Sequence, residues 1–293
     1  MREQEYAHPL VSVIIPAYAC EKTIQQAIDS ALVQGVPLEI LVSNDCSPDD
    51  LDAVMWQYRS VRQVRYCKNR NNLGVAATRN RGVKMAKGRY VAFLEADDWW
   101  EKDKLRKQLD LLEPGWQVSE SGTRSAGARR NTKDRASRKP GQEEMPVLCA
   151  CSRELVTAEG KQTGRVIHVH ERISYRRLLL HNCINCSSVV LRTDVARKYP
   201  MQHEDSHEDY ITWIRILREY GYAVAVDERL LKYPLDTSGK SGNKLKSAKM
   251  TYQAYRYAGF RPASAACLFC AYAVNGVLKY ARAYLSGKSG DSR

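Results

Sequence analysis

The stretch YVAFLEADDWW, residues 90–100, runs from strand-forming side chains straight into negative charge. Tyr90, Val91, Phe93 and Leu94 suit a strand buried on both faces. Glu95, Asp97 and Asp98 follow at once, and then Trp99 and Trp100. Carboxylates this close repel unless a cation or hydrogen-bond donors share the site. A hard divalent ion suits one or two carboxylates plus the oxygens of a substrate phosphate. In an open parallel sheet, ligands bind beyond the carboxyl ends of the strands. The stretch therefore predicts a strand whose end faces a ligand.

The segments around it follow the same plan. LVSVIIP is a short apolar run ending at Pro16, and EKTIQQAIDSALVQ places Ile24, Ile28, Ala31 and Leu32 on one helical face. LEILVSND reads as a second buried strand. DDLDAVMWQYRS reads as a helix opened by acids at its positive end. VRQVRYCKN reads as a third strand, and GVAATRNRGVKMAKG as a helix closed by Gly88. The alternation predicts an α/β chain with a mostly parallel, doubly wound sheet flanked by helices. Polar groups then gather at one sheet edge: Pro16, Ala17, Tyr18 and Glu21, then Asn44 and Asp45, then Asn72 and Gly74, then Glu95, Asp97 and Asp98.

Beyond Leu112 the pattern changes. Residues 117–144 hold seven basic and four acidic residues but one large apolar side chain, Val118, which is too little apolar surface to offset the entropy of ordering. The chain therefore divides into 1–113, which carries these strand ends; 114–146, a disordered insertion; 147–242, a second ordered half; and 243–293, a basic helical extension. From Arg229 onward there are twelve Lys and Arg against two acids, Asp236 and Asp291, so most of the net charge of +13 sits at this end. That balance favours an anionic partner. The nine cysteines show no zinc-ligand spacing and read as reduced residues among apolar neighbours. No signal-peptide pattern opens the chain, and no run reaches the about 18 to 20 apolar residues that span a bilayer. The expected location is the cytoplasm, at the inner face of the plasma membrane where the basic helix meets lipid.

Four segments carry a resemblance: VSVIIPAYACEKTIQQAIDSAL, EILVSNDCSPDD, NNLGVAATRNRGVKMAKGRYVAFLEADDWWEKDKLRKQL and HEDYITWIRI. In this order they resemble the signatures of family 2 glycosyltransferases of GT-A fold, and of those members that build bacterial surface polysaccharides such as teichuronic acid or capsule. The resemblance implies an inverting, metal-assisted transfer from a nucleotide-sugar, a UDP-sugar, to a surface glycan or lipid-linked acceptor. It implies Mg2+ or Mn2+ as cofactor, and it makes 1–113 the nucleotide-sugar-binding half and 147–242 the acceptor-binding half. The tyrosines near Arg256 lie at helical spacing and read as packing, so no nucleic-acid partner is expected. It puts Pro16, Ala17, Tyr18 and Glu21 in the nucleotide pocket, Asp45 on the base, and Asn72, Gly74 and Arg79 near the nucleotide. Glu95 and Ala96 lie on its ribose side, and Asp97 binds the metal. Asp209, with Glu208 before it, matches the general base. His207 adjoins that base, and Ser187 and Ser188 stand near the acceptor pocket. Trp99 and Trp100 fit either the acceptor border or packing beneath the strand end.

Two departures stand out. The usual Asp-Asp-Gly-Ser is Asn44-Asp45-Cys46-Ser47 here, and the first acid of Asp-x-Asp is Glu95. They keep open a rival reading, a degenerate, non-catalytic binding protein of the same fold. A nucleotidyltransferase would need a Gly-rich loop after the first strand, and PAYACEK has no glycine.

Overall fold

The computed structural model describes residues 9–116, 145–157, 160–235 and 244–288, with side chains over 247–276 in the last segment. The bulk of the predicted 114–146 insertion lies outside the described residues. The first half alternates β1 (Val11–Ala17), α1 (Ile24–Leu32), β2 (Leu38–Asn44), α2 (Leu51–Trp56), β3 (Val64–Lys68), α3 (Val75–Met85) and β4 (Tyr90–Phe93). A two-residue strand β5 (Trp99–Trp100) and helix α4 (Lys104–Leu112) complete it. The second half runs β6 (Leu148–Val156), β7 (Gln162–Ile167), β8 (Arg172–Ser174), α5 (Tyr175–Leu180), a 3-10 turn (Cys186–Ser188), β9 (Val190–Arg192), α6 (Thr193–Lys198), α7 (Glu208–Tyr220) and β10 (Tyr222–Pro234). Helices α8 (Lys244–Tyr257) and α9 (Pro262–Lys288) follow.

The described strands form one sheet in the order β3-β2-β1-β4-β9-β6-β10-β5, with β7 on β6 and β8 on β10. β1 runs parallel to β2 and β4, and β2 parallel to β3, as the β-α alternation predicts. In the second half β6 and β10 are parallel, but β9 runs antiparallel to both β4 and β6. Strand β9 thus joins the two halves into a single sheet. Alternation along β1 divides the core. Val13 and Ile15 pack with α1 and α4 on one face, and Ile14 packs with α3, α5 and α7 on the other.

Gly88 does not close α3, as its position in the sequence suggests. The helix ends at Ala86 with ordinary negative φ, two residues earlier. A Cβ on Gly88 would lie 2.6 Å from the Ser12 backbone nitrogen, so the glycine is required by the close approach of β1. Gly221, by contrast, ends α7 with φ 83°, the left-handed conformation that glycine supplies at a helix end.

The cysteines divide. All nine are free thiols; Cys20, Cys149, Cys151, Cys183 and Cys186 are buried, but Cys267 and Cys270 of α9 are exposed. Among the described residues, no helix is long and apolar enough to cross a membrane.

Candidate active site

The parallel register sets Ala17 beside Asn44 and Ile14 beside Phe93, so the polar strand ends share one edge. Two loops there are laced together. Ala19 donates its N–H to Ser47 Oγ at 2.7 Å, and Glu21 donates its N–H to Asp49 Oδ2 at 2.7 Å. Glu21 Oε2 in turn accepts from the Asp50 N–H at 3.0 Å. Glu21 therefore braces the loop after β2. Pro16 and Ala17 are buried in the strand end, and Tyr18 stands 52% exposed.

Asp45 is the hub of the loops that follow β2 and β3. It is 4% exposed, and Oδ1 accepts from Asn69 Nδ2 at 2.7 Å and from the Leu73 N–H at 2.9 Å. Oδ2 accepts from the Gly74 N–H at 2.8 Å. A carboxylate has about four lone-pair sites, so one remains for a ligand donor. Asn72 is exposed and accepts from the same Gly74 N–H at 3.2 Å. Leu73 is 53% exposed, so Tyr18 and Leu73 present large apolar surfaces on the two segments bonded to Asp45. Nothing in a single sequence marks Leu73. Asn44, which replaces the first acid, is satisfied without charge: Nδ2 donates to the Tyr66 hydroxyl at 2.6 Å and Oδ1 accepts from the Ser47 N–H at 2.7 Å.

Gly74 opens α3 with φ 85°, and a Cβ there would lie 1.7 Å from Glu204 Oε2. The Glu204 carboxylate covers this helix start and accepts from the Ala76 N–H. An anion at a helix N-terminus meets unsatisfied N–H groups and the positive end of the dipole. Sequence reading missed Glu204, because the contact spans 128 positions.

The acid-x-acid turn follows β4. The Asp98 N–H donates to the Glu95 carbonyl at 3.2 Å, which folds Glu95, Ala96 and Asp97 into a turn. Asp97 is exposed and Ala96 buried. Asp98 is buried, and desolvation holds its carboxyl well above the usual range, with the Asp97 charge adding to the effect. The Glu95 N–H donates to Ser187 Oγ at 3.0 Å, so the 3-10 turn of the second half supports this one. Trp100 is core, donating Nε1–H to the Ser187 carbonyl at 2.8 Å, whereas Trp99 stays half-buried beside Gly160.

Arg79 enters from α3, 5% exposed. It donates through Nε and Nη2 to Glu95 Oε1 at 3.1 and 2.7 Å, and through Nη1 to Glu208 Oε1 at 2.9 Å. Its guanidinium thus faces two carboxylates. Glu208 is 7% exposed and opens α7 after His207, the N-cap position. Asp209 beside it is half-buried. Burial lifts its carboxyl to about 6, the Glu208 charge adds to the rise, and Arg79 opposes it. A carboxyl near that value accepts a proton at neutral pH and is a stronger base than a solvated one. The buried Cys186 thiol adjoins this cluster and is held neutral by desolvation.

Among the described residues no three His, Cys, Asp or Glu side chains converge on one point. The exposed Asp97 fits an ion that takes one carboxylate and completes its shell with substrate and water oxygens.

Comparison with known proteins gives this edge its context. The family model described as Glycosyl transferase family 2 matches residues 12–189, which carry the strand ends up to Ser187. The Bacillus subtilis (strain 168) glycosyltransferase TuaG, named for teichuronic acid biosynthesis, is 30% identical over 253 residues, 85% of this chain and 88% of that one. An Escherichia coli protein named UDP-Glc:alpha-D-GlcNAc-diphosphoundecaprenol beta-1,3-glucosyltransferase WfaP is 28% identical over 281 residues, 94% of this chain and 97% of that one. In fold, the mannosyltransferase PcManGT of Pyrobaculum calidifontis, solved with GDP-Man and Mn2+, superposes with a TM-score of 0.61 at 16% identity, covering 98% of this chain and 76% of that one. With its sheet, its strand-end carboxylates and these relatives, the chain belongs to glycosyl transferase family 2 and is a glycosyltransferase of GT-A fold.

Proposed function

We propose that the enzyme transfers a sugar from a UDP-sugar to the sugar of a lipid-linked acceptor with inversion at the anomeric carbon. The observation that carries this reading is the span of Arg79, which sets the acid-x-acid turn within one side chain of the helix bearing Asp209. Donor and base chemistry thereby meet at one point of the sheet edge. The named activity of the Escherichia coli relative supports the substrate classes.

The uracil ring lies between Tyr18 and Leu73, over Pro16 and Ala17, and donates to the remaining lone pair of Asp45. Asn72 and Gly74 close the loop around it, and Glu21 holds the opposing loop in place. Asp97 would hold Mg2+ or Mn2+. When bound, the ion offsets charge on the departing diphosphate. Asp209 removes the proton of the acceptor hydroxyl as that oxygen attacks the anomeric carbon. Glu208, bonded to Arg79, stands beside Asp209, and its charge adds to the basicity of that carboxylate. The basic C-terminal helix meets the membrane that carries the acceptor.

Calorimetry with UDP, GDP and CDP, with and without Mn2+, tests the donor site. UDP binding that depends on Mn2+ and weakens at least about tenfold in Asp97→Ala is the expected result. Binding of no nucleotide under either condition would end this reading. UDP-glucose with a short-chain GlcNAc-diphospho-lipid then tests transfer, with loss of turnover expected in Asp209→Asn.

A further inference from the structure

We infer that Arg79 is a positioning residue for the base helix, and that Glu95 in this chain serves that tie in place of a contact to the donor's ribose. The inference rests on the assignment of Asp209 as base. Position 79 is one that the resemblance puts near the nucleotide. Here the guanidinium is 5% exposed and turned inward. Three of its nitrogens donate to carboxylates 16 and 129 positions away, and Nη1 also approaches Met201 Sδ at 3.6 Å. One planar cation therefore fixes two elements that approach from opposite halves of the sheet, the turn after β4 and the start of α7. A guanidinium fork imposes direction as well as charge, which a lysine would not do.

Glu95 fits this role through its length. Both Arg79 contacts to it converge on Oε1, across a gap that the extra methylene spans. An aspartate would retreat by one carbon–carbon bond and leave part of the fork unmet. The backbone of the same residue is held independently by Ser187, so a shorter side chain would not draw the turn after it. Glu208 lies on the other arm, next in sequence to Asp209. Any change in the angle at which Arg79 meets Glu208 turns the first residues of α7. A misplacement of about 1 Å can cost on the order of a hundredfold in rate.

The test separates turnover from nucleotide binding. The variants are Glu95→Asp, which restores the usual family residue, Glu95→Gln and Arg79→Lys. The probes are UDP with Mn2+ for affinity, and release of UDP from UDP-glucose in the presence of the GlcNAc-diphospho-lipid for turnover. The expected result in all three is a kcat lowered about ten- to a hundredfold, with KM for UDP-glucose and Kd for UDP within about threefold of wild type. An unchanged kcat overturns the inference. So does a Kd for UDP that rises in step with the loss of kcat/KM, which would make the pair a nucleotide contact.

Arg79→Ala leaves the buried Glu208 and the half-buried Glu95 without their shared cation and risks unfolding. Its charge-balanced form, Arg79→Ala with Glu95→Gln and Glu208→Gln, is expected to fold and bind UDP yet remain slow. Full turnover in that triple variant would overturn the tie. If the wild type releases no UDP, the donor reading fails by itself. The tie is then decided by thermal unfolding of Arg79→Lys, Glu208→Gln and their double variant: non-additive losses are expected, and strict additivity would overturn it.

Discussion

Asp209, as the proposed base, would serve catalysis at a cost to the fold. Burial raises its carboxyl to about 6, with Glu208 and Glu95 adding to the rise and Arg79 opposing it, while the Cys186 thiol alongside stays neutral. The base acts deprotonated, so kcat is expected to be level above that value and to fall as pH drops through it. A rate profile between pH 5 and 8 on buffers of constant ionic strength checks this; a profile flat through pH 6 would remove Asp209 from the role. Asp209→Asn is expected to lose about 10²–10⁴ in kcat while binding UDP as before. The stability consequence has the opposite sign. Between the unfolded value of 3.8 and the folded value of about 6, the folded state holds a proton that the unfolded state has released. Stability therefore falls as pH rises through that window. At pH 7, Asp209→Asn should melt no lower than wild type, and the gap between the two should close toward pH 4. Such an exchange of stability for activity is common at catalytic positions.

The start of α3 makes the same argument for a structural element. Gly74 is pressed between the Asp45 carboxylate on its N–H and the Glu204 carboxylate on its Cα. Gly74→Ala forces φ 85° on a residue with a Cβ and drives that atom into Glu204. The expected loss is about 1–3 kcal/mol from backbone strain, together with weaker UDP binding. Gly74→Ala with Glu204→Ala removes the clash but not the strain, so denaturant melts should recover part of the loss; recovery of none would show that Glu204 does not bear on this glycine.

Sequence pattern made part of this region legible. The apolar runs, their helical intervals and the polar residues after each strand predicted β1 to β4, and the carboxylates that line their ends. The reading of Gly88 as a helix cap failed, because a close approach by β1 leaves no mark on the local pattern. Glu204 and the Arg79 tie were hidden for the same reason. Each joins positions more than a hundred residues apart through the path of the loop before α7. Strand β5 has two residues, too few for alternation to register, and the apolar run of β9 marks a strand but not its direction, so the antiparallel centre of the sheet was not legible either.

At the scale of the whole molecule, the C-terminal helices are built onto the loop before α7, at one wall of the candidate site. The His203 ring stacks on Tyr257 of α8 with centroids 3.8 Å apart, and Ser206 Oγ donates to the Met250 carbonyl at 2.7 Å. The loop that delivers Glu204, Glu208 and Asp209 is therefore pinned to α8, and α9 packs against α5 and α8. On α9, Ala263, Ala266, Cys267, Cys270, Ala273 and Val274 lie exposed at spacings of three and four, an apolar stripe without a covering element among the described residues. Lys279, Arg282 and Lys288 continue the same helix in sequence. An apolar stripe with basic residues suits the plane of an anionic membrane, where each Lys or Arg near the surface adds about 1 kcal/mol. Such seating would bring a lipid-linked acceptor to the side of the enzyme that holds Asp209, the proposed base. The protein is expected to co-sediment with vesicles containing phosphatidylglycerol, to release as salt rises, and to bind several-fold more weakly in Lys279→Glu/Arg282→Glu. Cys267 and Cys270 supply an internal reporter, since both are exposed thiols on the stripe. A maleimide should label them readily in solution and slowly on anionic vesicles. Labelling at one rate in both conditions, with no salt-sensitive sedimentation, would mean that α9 faces water and that the acceptor reaches the base by another route.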